Sequence, residues 1–373
     1  MKHILIVNPF GIGDVLFSTP LIAAIQKRWP ACQVSYIANA RTAPILRNDS
    51  RLANVMVYER DEFVAVYKRS PLRFVLKWKE LTDEIRAARF DAAIDLSMGS
   101  PLGIALFLAG VPQRVGFNYK SRGRWLTRSL PLKGFEGRHV VEYNLDLLGL
   151  LETPALADVG RQHNGGNSEL WAAAHNRSHR MSFVVTSSDS AWAEQFIREN
   201  RIEPGKMVGL YPGGGASWGA GAAVRRWAGE NYAKLADKIV EKASANIILM
   251  GDKSDVQLCE EVARGMSVRP VIAAGKTTLG QAAALMQRCR LVVLNDGGAM
   301  HVAAASGVRT AVIFGPVDPR VYGPFPAEEH KTVVSNIACQ PCYRNFRMSD
   351  CRHQQCLKQF TVEEVFQTIK EWL

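Results

Sequence analysis

Hydrophobic residues form short runs that alternate with stretches of helical spacing. Residues 2–7, with the apolar stretch 4–7, are typical of a short buried strand, and residues 15–28 repeat apolar positions at three- and four-residue intervals. Strand-like runs follow at 33–38 and 90–96, with helical spacing at 81–88. This alternation predicts a mostly parallel, doubly wound α/β sheet.

The alternation restarts in the second half of the chain, after residues 152–180, which are rich in Gly, Asn and His and have little periodicity. We therefore predict two Rossmann-like domains, 1–165 and 183–350, joined by a linker at 166–182. Residues 351–373 are expected to form a C-terminal tail and helix, and one expectation is that they pack back on the first domain. Thr361 and Glu364 form a capping-box signature for this helix. Strands are predicted at 207–211, 245–250, 291–294 and 310–314, and helices at 231–243, 279–287 and 299–306.

Composition narrows the class of protein. The chain has 373 residues, 47% hydrophobic and 22% charged, and a formal net charge of +11. This surplus favours an acidic partner: nucleic acid, an anionic membrane or a phosphorylated substrate. No apolar run approaches the ~20 residues of a membrane-spanning helix, and the first apolar run ends at Asn8 and Pro9, unlike a signal peptide. With seven cysteines, an odd number, we expect a cytoplasmic protein with reduced thiols.

A loop with two glycines follows the first predicted strand, where open α/β sheets bind ligands. Gly11 and Gly13 fit a dinucleotide fingerprint, but Leu16 stands where its third glycine or alanine belongs, which disfavours a nicotinamide site. Asp14 falls at the start of the following helix. It is either a first-turn acid that favours the helix dipole or a catalytic carboxylate, and the loop alone leaves both open.

Two further loops follow predicted strands in the second half. In the loop at 212–221, consecutive glycines allow backbone N–H groups to approach an anion, and two arginines follow; the alternative is a flexible surface loop with solvated charges. The loop at 295–301 places a Gly-Gly turn before a helix, which is an anion-binding arrangement. Here His301 is alternatively a core residue and Asp296 a cap. The chain has no Asp-x-Asp pair of the kind that holds a metal–diphosphate complex.

Together these loops resemble glycosyltransferase family 9, the ADP-heptose:lipopolysaccharide heptosyltransferases. The resemblance spans nearly the whole chain. It is carried by the segments at 11–20, 113–117, 139–142, 212–215, 225–227, 275–279, 295–301 and 314–319.

The resemblance implies a GT-B fold, with two Rossmann-like domains facing a central cleft. It also implies an inverting, metal-independent transfer of heptose from ADP-heptose to the lipopolysaccharide inner core, without a cofactor. Asp14 would be the general base. The implied acceptor-binding residues are Gly13, Arg114, Lys120, Arg122 and Arg124. The implied donor-binding residues are Gly213, Gly214, Gly215, Arg225, Arg226, Asp255, Asp296, Gly297, Gly298 and His301.

Departures from the family pattern leave the donor open. Arg225-Arg226-Trp227 stands where a lysine often precedes the tryptophan, and Asp296-Gly297-Gly298 lacks the usual hydroxyl. Three alternatives therefore remain: a family 9 transferase with another nucleotide sugar, a GT-B-like sugar-nucleotide epimerase or hydrolase, and a non-enzymatic polysaccharide- or lipid-binding protein.

Basic residues are concentrated at 112–138 and at 68–79, where aromatic residues are interleaved. Such runs are usually solvated surface. Since both lie in the half expected to bind the anionic lipopolysaccharide core, we predict peripheral contact with the inner face of the membrane. Nucleic acid is disfavoured because no nucleic-acid-binding motif accompanies the charge.

Four cysteines near the C-terminus have the spacing C-x2-C-x8-C-x4-C. Cys339, Cys342, Cys351 and Cys356 are compatible with a structural zinc site, and equally with a set of reduced thiols. The spacing leaves both interpretations open.

Overall fold

The computed structural model describes residues 1–151, 180–215, 223–351 and 353–373. The chain divides into two units, Met1–Arg180 and Met181–Leu373. Most of the predicted linker at 166–182 lies outside the described residues. Among the described residues, no helix has both the length and the apolar character needed to cross a bilayer.

The first unit is built on a six-stranded parallel sheet with strand order β3-β2-β1-β4-β5-β6. A core cluster forms where apolar residues of β1 and β4 meet those of three helices, including Leu5, Ala93 and Leu106. The strands are β1 His3–Val7, β2 Gln33–Ala38, β3 Leu52–Val57, β4 Ala92–Asp95, β5 Gln113–Tyr119 and β6 Arg128–Leu132. The helices are α1 Ile12–Arg28, α2 Ala43–Leu46, α3 Arg60–Arg69, α4 Pro71–Ala87, α5 Ser100–Leu108 and α6 Val140–Asp146, with 3-10 turns at Arg122–Trp125 and Leu147–Leu151.

The second unit contains another six-stranded parallel sheet, with strand order β12-β11-β10-β7-β8-β9. Its strands are β7 Met207–Tyr211, β8 Asn246–Leu249, β9 Val271–Ile272, β10 Leu291–Asn295, β11 Thr310–Phe314 and β12 Lys331–Val334, and β13 Tyr343–Arg344 pairs with β14 Arg347–Met348 as a short hairpin. Its helices are α7 Ser187–Glu199, α8 Gly229–Ala243, α9 Val256–Arg264, α10 Leu279–Met286, α11 Gly298–Ala305, α12 Pro319–Tyr322, α13 Gln355–Lys358 and α14 Val362–Ile369.

Each sheet has one point where the strand order reverses. In the first unit β1 lies between β2 and β4, and Val7 pairs with both Ile37 and Asp95. In the second unit β7 lies between β8 and β10, and Tyr211 pairs with Leu294. Ligands of doubly wound sheets bind outside the carboxyl ends of the strands at such a point. Ligand-binding residues are therefore expected in the loops after β1 and β4 in the first unit and after β7 and β10 in the second.

The prediction of two doubly wound α/β domains is confirmed. The seven predicted strands are all present, whereas β3, β5, β6, β9 and β12 were not predicted. These strands carry polar or partly exposed positions, and β9 has only two residues. A strand of this kind lacks the continuous apolar run by which buried parallel strands are recognised.

The C-terminal segment corrects one prediction. Val365, Phe366 and Ile369 of α14 are buried in the same core cluster as Leu235 and Ile239 of α8. Residues 351–373 therefore belong to the second unit and do not form a separate tail. The physical reason is the strongly one-sided apolar face of α14, which is buried in the core of its own unit.

Candidate functional site

Asp14 occupies the third position of α1, directly after the loop that follows β1. The Gly11 N–H at the helix start donates to Asp14 Oδ2 at 3.1 Å, and Asn8 Nδ2 donates to the Asp14 carbonyl oxygen at 2.8 Å. Among the described residues, no hydrogen bond reaches Oδ1. The two interpretations of Asp14 are thus compatible: one oxygen closes the helix start, and the other is available to a substrate.

The environment of Asp14 suits a proton acceptor. Desolvation by the surrounding protein raises the pKa of its carboxyl to about 6, partly offset by the Gly11 N–H. Since the side chain is exposed to water, solvent screening moderates this shift, and we expect a pKa between its ordinary value and about 6. Such a group is ionised at neutral pH and is a stronger base than an ordinary aspartate.

A second carboxylate, Asp95, ends β4 and is missing from the predicted site. It is only 5% exposed, and the Ser97 N–H donates to its Oδ1 at 2.9 Å. Burial raises the pKa of Asp95 to about 6, and its interactions with Ser97 lower it in part. The sequence signal was present, because Asp95 is the first charged residue after an apolar run that ends at the sheet edge.

The loop after Asp95 has the features of a second ligand loop. Met98 adopts a φ of +51°, a left-handed conformation that is strained for a methionine. Gly99 then begins α5 without any side-chain cap. A Cβ at Gly103 of α5 would lie 3.7 Å from Asp95 Oδ2, so the helix packs close to this carboxylate. Backbone strain, a buried charge and an uncapped helix start coincide at the switch point of the first sheet.

Asn39, just after β2, fixes the loop that precedes Asp14. Its Nδ2 donates to the carbonyl oxygens of Pro9 at 3.1 Å and Phe10 at 2.6 Å, and its Oδ1 accepts from the Thr42 N–H at 2.9 Å. This positioning role was not predicted from the sequence, since a lone asparagine after a strand is ordinary turn chemistry.

The predicted acceptor-binding arginines and lysine separate into two kinds. Arg114 supports the fold: its Nε donates to the Trp125 carbonyl at 2.7 Å and its Nη1 to the Val111 carbonyl at 2.5 Å. Lys120, Arg122 and Arg124 are exposed around the turn that follows β5, and no carboxylate pairs with them among the described residues. The predicted Gly13 lies in the first turn of α1, beside Asp14.

In the second unit, Asn295 ties together the segments expected to hold the donor. Its Nδ2 donates to the carbonyl oxygens of Pro212 at 2.8 Å and Gly213 at 3.2 Å, and its Oδ1 accepts from the Trp227 N–H at 3.0 Å. Asn295 is buried. The loop after β7, the Arg-Arg-Trp segment and the end of β10 are therefore held in one arrangement, and Asn295 is a positioning residue that the sequence interpretation missed.

The two glycine turns lie against each other at the switch point of this sheet. A Cβ at Gly297 would lie 3.2 Å from the Gly214 carbonyl oxygen, and one at Gly215 would lie 3.6 Å from the Gly298 nitrogen. Gly215 also has a φ of +76°, which favours glycine. Helix α11 begins here without a side-chain cap, so its first N–H groups can bind an anion. The later part of the predicted loop, 216–221, lies outside the described residues.

Arg225 and Asp296 form a buried salt bridge. Arg225 Nε donates to Asp296 Oδ2 at 2.9 Å, and Nη2 donates to the same oxygen. A pair this buried is stable only while both partners remain. These two predicted donor-binding residues thus hold each other at the base of the loop. Arg226, about one third exposed, is better placed to meet a phosphate.

Asp255, another predicted donor residue, lies beneath the glycine loop. A Cβ at Gly213 would overlap both Asp255 carboxylate oxygens. Asp255 Oδ2 accepts from the Asp252 N–H at 3.2 Å, and Arg226 Nη2 approaches Oδ1 at 3.5 Å. Burial, together with the charge of Asp252, raises the pKa of Asp255. The glycine at 213 is therefore required by close packing on this carboxylate.

The last two parts of the predicted site are His301 and the segment at 275–279. His301 is buried in α11. In the segment at 275–279, Lys276 Nζ donates to the Ile272 carbonyl at 2.8 Å, and Thr278 caps α10.

The four C-terminal cysteines are free thiols of graded burial: Cys339 is exposed, Cys342 and Cys351 are partly buried, and Cys356 is buried. Within the described residues, no three or more His, Cys, Asp or Glu side chains are grouped so that they could hold a metal ion. A structural zinc at these cysteines stays a prediction.

The two doubly wound domains have the architecture of the two-Rossmann-domain class of glycosyltransferases, and the carboxylate at the first helix and the glycine turns of the second unit are compatible with sugar transfer. A family model described as glycosyltransferase family 9 (heptosyltransferase) matches residues 78–353. Because the match covers well over half of the chain, the chain belongs to this family of heptose-transferring enzymes.

Similar proteins agree with this assignment. The chain is 25% identical over 379 residues to lipopolysaccharide heptosyltransferase 2 of Escherichia coli K12, covering 99% of this chain and 98% of that protein. It is 25% identical to lipooligosaccharide heptosyltransferase 2 of Haemophilus ducreyi, over 85% of this chain and 84% of that protein. Among solved structures, the E. coli ADP-heptose lps heptosyltransferase II has a TM-score of 0.73 at 21% identity, over 100% of this chain and 98% of that one. This last similarity shows the fold.

Proposed function

We propose that this chain is an inverting, metal-independent heptosyltransferase that moves heptose from ADP-heptose to the inner core of lipopolysaccharide. The observation that carries the proposal is Asp14, a carboxylate anchored by the Gly11 N–H, with a free second oxygen and a raised pKa. ADP-heptose is the proposed donor because the structurally similar E. coli ADP-heptose lps heptosyltransferase II is named for it.

In this mechanism, Asp14 accepts the proton of the attacking acceptor hydroxyl as the bond from the sugar to the diphosphate breaks. A single displacement inverts the anomeric carbon, so one base suffices, as in the inverting glycosidases. The sugar passes through an oxocarbenium-like transition state, and ADP leaves with the electron pair of the broken bond.

The second unit stabilises the departing diphosphate. The uncapped start of α11 and the backbone N–H groups of the glycine turns supply fixed dipoles, and Arg226 supplies a positive charge. Metal independence is proposed because these groups replace the charge a cation would provide, and the chain has no Asp-x-Asp pair.

The acceptor is proposed to meet two sets of groups on the first unit. Lys120, Arg122 and Arg124 match the carboxylates or phosphates of an anionic core. Asp95, at the end of β4, is suited to accept a hydrogen bond from a sugar hydroxyl. We also propose that the enzyme works at the cytoplasmic face of the inner membrane, which agrees with seven free thiols.

The test is transfer assayed with ADP-heptose and a truncated, water-soluble core acceptor. Asp14→Asn should lower kcat by about 10²- to 10⁴-fold, the usual contribution of general acid–base catalysis, and leave the donor KM nearly unchanged. In the wild type, kcat/KM should fall as the pH drops through the pKa of Asp14, at or below about 6, because only the ionised form accepts a proton.

The matched control is Asp61→Asn, which removes another exposed first-turn carboxylate, in α3. It should retain wild-type turnover. Near-normal kcat in Asp14→Asn would exclude Asp14 as the base. Sugar release by the wild type at the same rate without acceptor would exclude the transferase reaction.

A further inference from the structure

Helices α3 and α4 form a hairpin whose tip exposes large apolar side chains. Leu72 is 70% exposed, Val75 59% and Leu76 51%, and all three lie on one face of α4 at the spacing i, i+3, i+4. Tyr67 and Val64 extend this exposed apolar surface onto α3. We define residues 67–76 as the hairpin tip. A concentration of large exposed apolar side chains on a soluble domain marks an interaction surface.

The hairpin tip is a fixed structure. Ser70 joins the two helices, and its Oγ caps α4 by accepting from the Arg73 N–H at 3.3 Å. The Tyr67 and Phe74 rings meet edge to face at 5.2 Å, and Phe74 stacks on Trp78 at 6.2 Å. Trp78 contacts Phe63, which is part of the core of the first unit. The aromatic row therefore anchors the exposed face to the core.

All charged residues of the hairpin tip are basic. Residues 67–76 contain Lys68, Arg69 and Arg73, all exposed, and no Asp or Glu. The acidic residues of the hairpin lie outside the tip, where Glu62 pairs with Lys77 and Asp83 pairs with Lys79 and Arg86. No carboxylate pairs with the three tip cations among the described residues, so the tip presents an unneutralised positive charge beside its apolar face.

We propose that the hairpin tip docks on an anionic lipid surface, with Leu72, Val75 and Leu76 entering the headgroup region while Lys68, Arg69 and Arg73 contact lipid phosphates. Leucine on one face and Lys/Arg beside it is the composition of helices that lie in a membrane interface. A protein partner with a matching acidic groove is less favoured, because the three apolar side chains are each at least half exposed on a single helix that already carries its own cations. The inference rests on the proposed function, which places the acceptor on a lipid-anchored molecule.

The experiment is co-sedimentation of the full-length protein with vesicles of phosphatidylethanolamine and phosphatidylglycerol, compared with vesicles of phosphatidylcholine alone. The wild type should bind the anionic vesicles, and high salt should weaken the binding. The charge variant Lys68→Gln/Arg69→Gln/Arg73→Gln should bind about one hundredfold more weakly, at the usual contribution of each basic residue near an anionic surface. The apolar variant Leu72→Ser/Val75→Ser/Leu76→Ser should lose about tenfold or more.

Matched controls separate the tip from general charge and exposure. Lys234→Gln/Arg269→Gln/Lys358→Gln removes the same charge from exposed positions of the second unit, and Val268→Ser removes an exposed apolar side chain there. Both should bind like the wild type. Equal binding by the tip variants and these controls, or no wild-type binding to anionic vesicles, would overturn the proposal. A lipid-free dimer that the apolar variant dissociates would instead assign the tip to a second copy of the chain.

Transfer to the water-soluble acceptor distinguishes the two proposals. The tip variants should retain wild-type kcat and melting temperature in that assay, because none of the substituted residues belongs to the proposed catalytic or binding groups. Loss of vesicle binding with intact transfer supports the docking surface. An inactive wild type that still binds vesicles through the tip would refute the proposed function alone.

Discussion

At the residue scale, Asp14 and Asp95 show how one physical cause produces two different kinds of carboxylate. Desolvation raises the pKa of both carboxyls, that of Asp95 to about 6. Asp14 is exposed and uses one oxygen to accept from the Gly11 N–H, whereas Asp95 is almost fully buried. The sequence predicted Asp14 because it begins a helix after a glycine loop. It did not predict the burial of the Asp95 side chain, because burial depends on tertiary neighbours such as Gly103 of α5.

Replacing Asp95 with asparagine should stabilise the protein and impair acceptor binding. Because the folded state raises the pKa from 3.8 to about 6, it binds more protons than the unfolded state between these values. The free energy of unfolding therefore falls as the pH rises from 3.8 to about 6, and the total loss at higher pH is up to about 3 kcal/mol. Asp95→Asn removes this penalty, while its amide oxygen still accepts from the Ser97 N–H. The melting temperature should rise at pH 8 and change little near pH 4, while the acceptor KM increases.

Asp91→Asn is the control, for which the expected change in melting temperature at pH 8 has the opposite sign. The backbone N–H groups of Lys2 and His3 donate to the Asp91 carboxylate and lower its pKa. Ionisation of Asp91 is therefore stabilising, and its removal should lower the melting temperature at pH 8. An Asp95→Asn variant that is also destabilised at pH 8 would contradict the assigned cost of burying this charge.

At the element scale, the loops after strands were predictable and their internal contacts were not. Apolar runs located β1, β7 and β10, and glycines marked the turns that follow them. Which polar groups close those turns depends on distant residues: Asn295 bonds to Pro212 and Gly213, more than eighty positions earlier. The pairing of Arg225 with Asp296 could not be read from spacing either, and the family resemblance implies both only as donor-binding residues.

Gly213→Ala should weaken donor binding specifically. The added methyl group would overlap the buried Asp255 carboxylate, so either the loop or Asp255 must move. The main-chain N–H groups proposed to bind the diphosphate would move with the loop, and we expect a donor KM about tenfold higher or more. The acceptor KM should stay near its wild-type value. Gly149→Ala, where a Cβ meets nothing within 4 Å, is the matched control. Unchanged affinity for ADP by calorimetry in Gly213→Ala would contradict the placement of the donor at this loop.

At the scale of the whole molecule, the sequence predicted the division into two domains because the strand–helix alternation stops and restarts. It did not predict that the C-terminal helix joins the core of the second unit, since a capping box locates the start of a helix but does not say which surface its apolar face will cover. The net charge of +11 pointed to an anionic partner class as a hypothesis. Only the structure shows that part of this charge stands beside exposed apolar residues, at the α3–α4 tip.

The second unit should bind ADP without the first. Its buried clusters consist entirely of residues after position 181, and every hydrogen bond described for the donor loops joins residues of this unit. Expressed as residues 181–373, it should unfold cooperatively and bind ADP with an affinity within about tenfold of the full chain. It should have no transfer activity, because Asp14 and the acceptor groups are absent. Gly213→Ala in the same fragment should weaken ADP binding as it does in the full chain. A folded fragment that does not bind ADP, while the full chain does, would show that the glycine turns at β7 and β10 are not sufficient to hold the nucleotide.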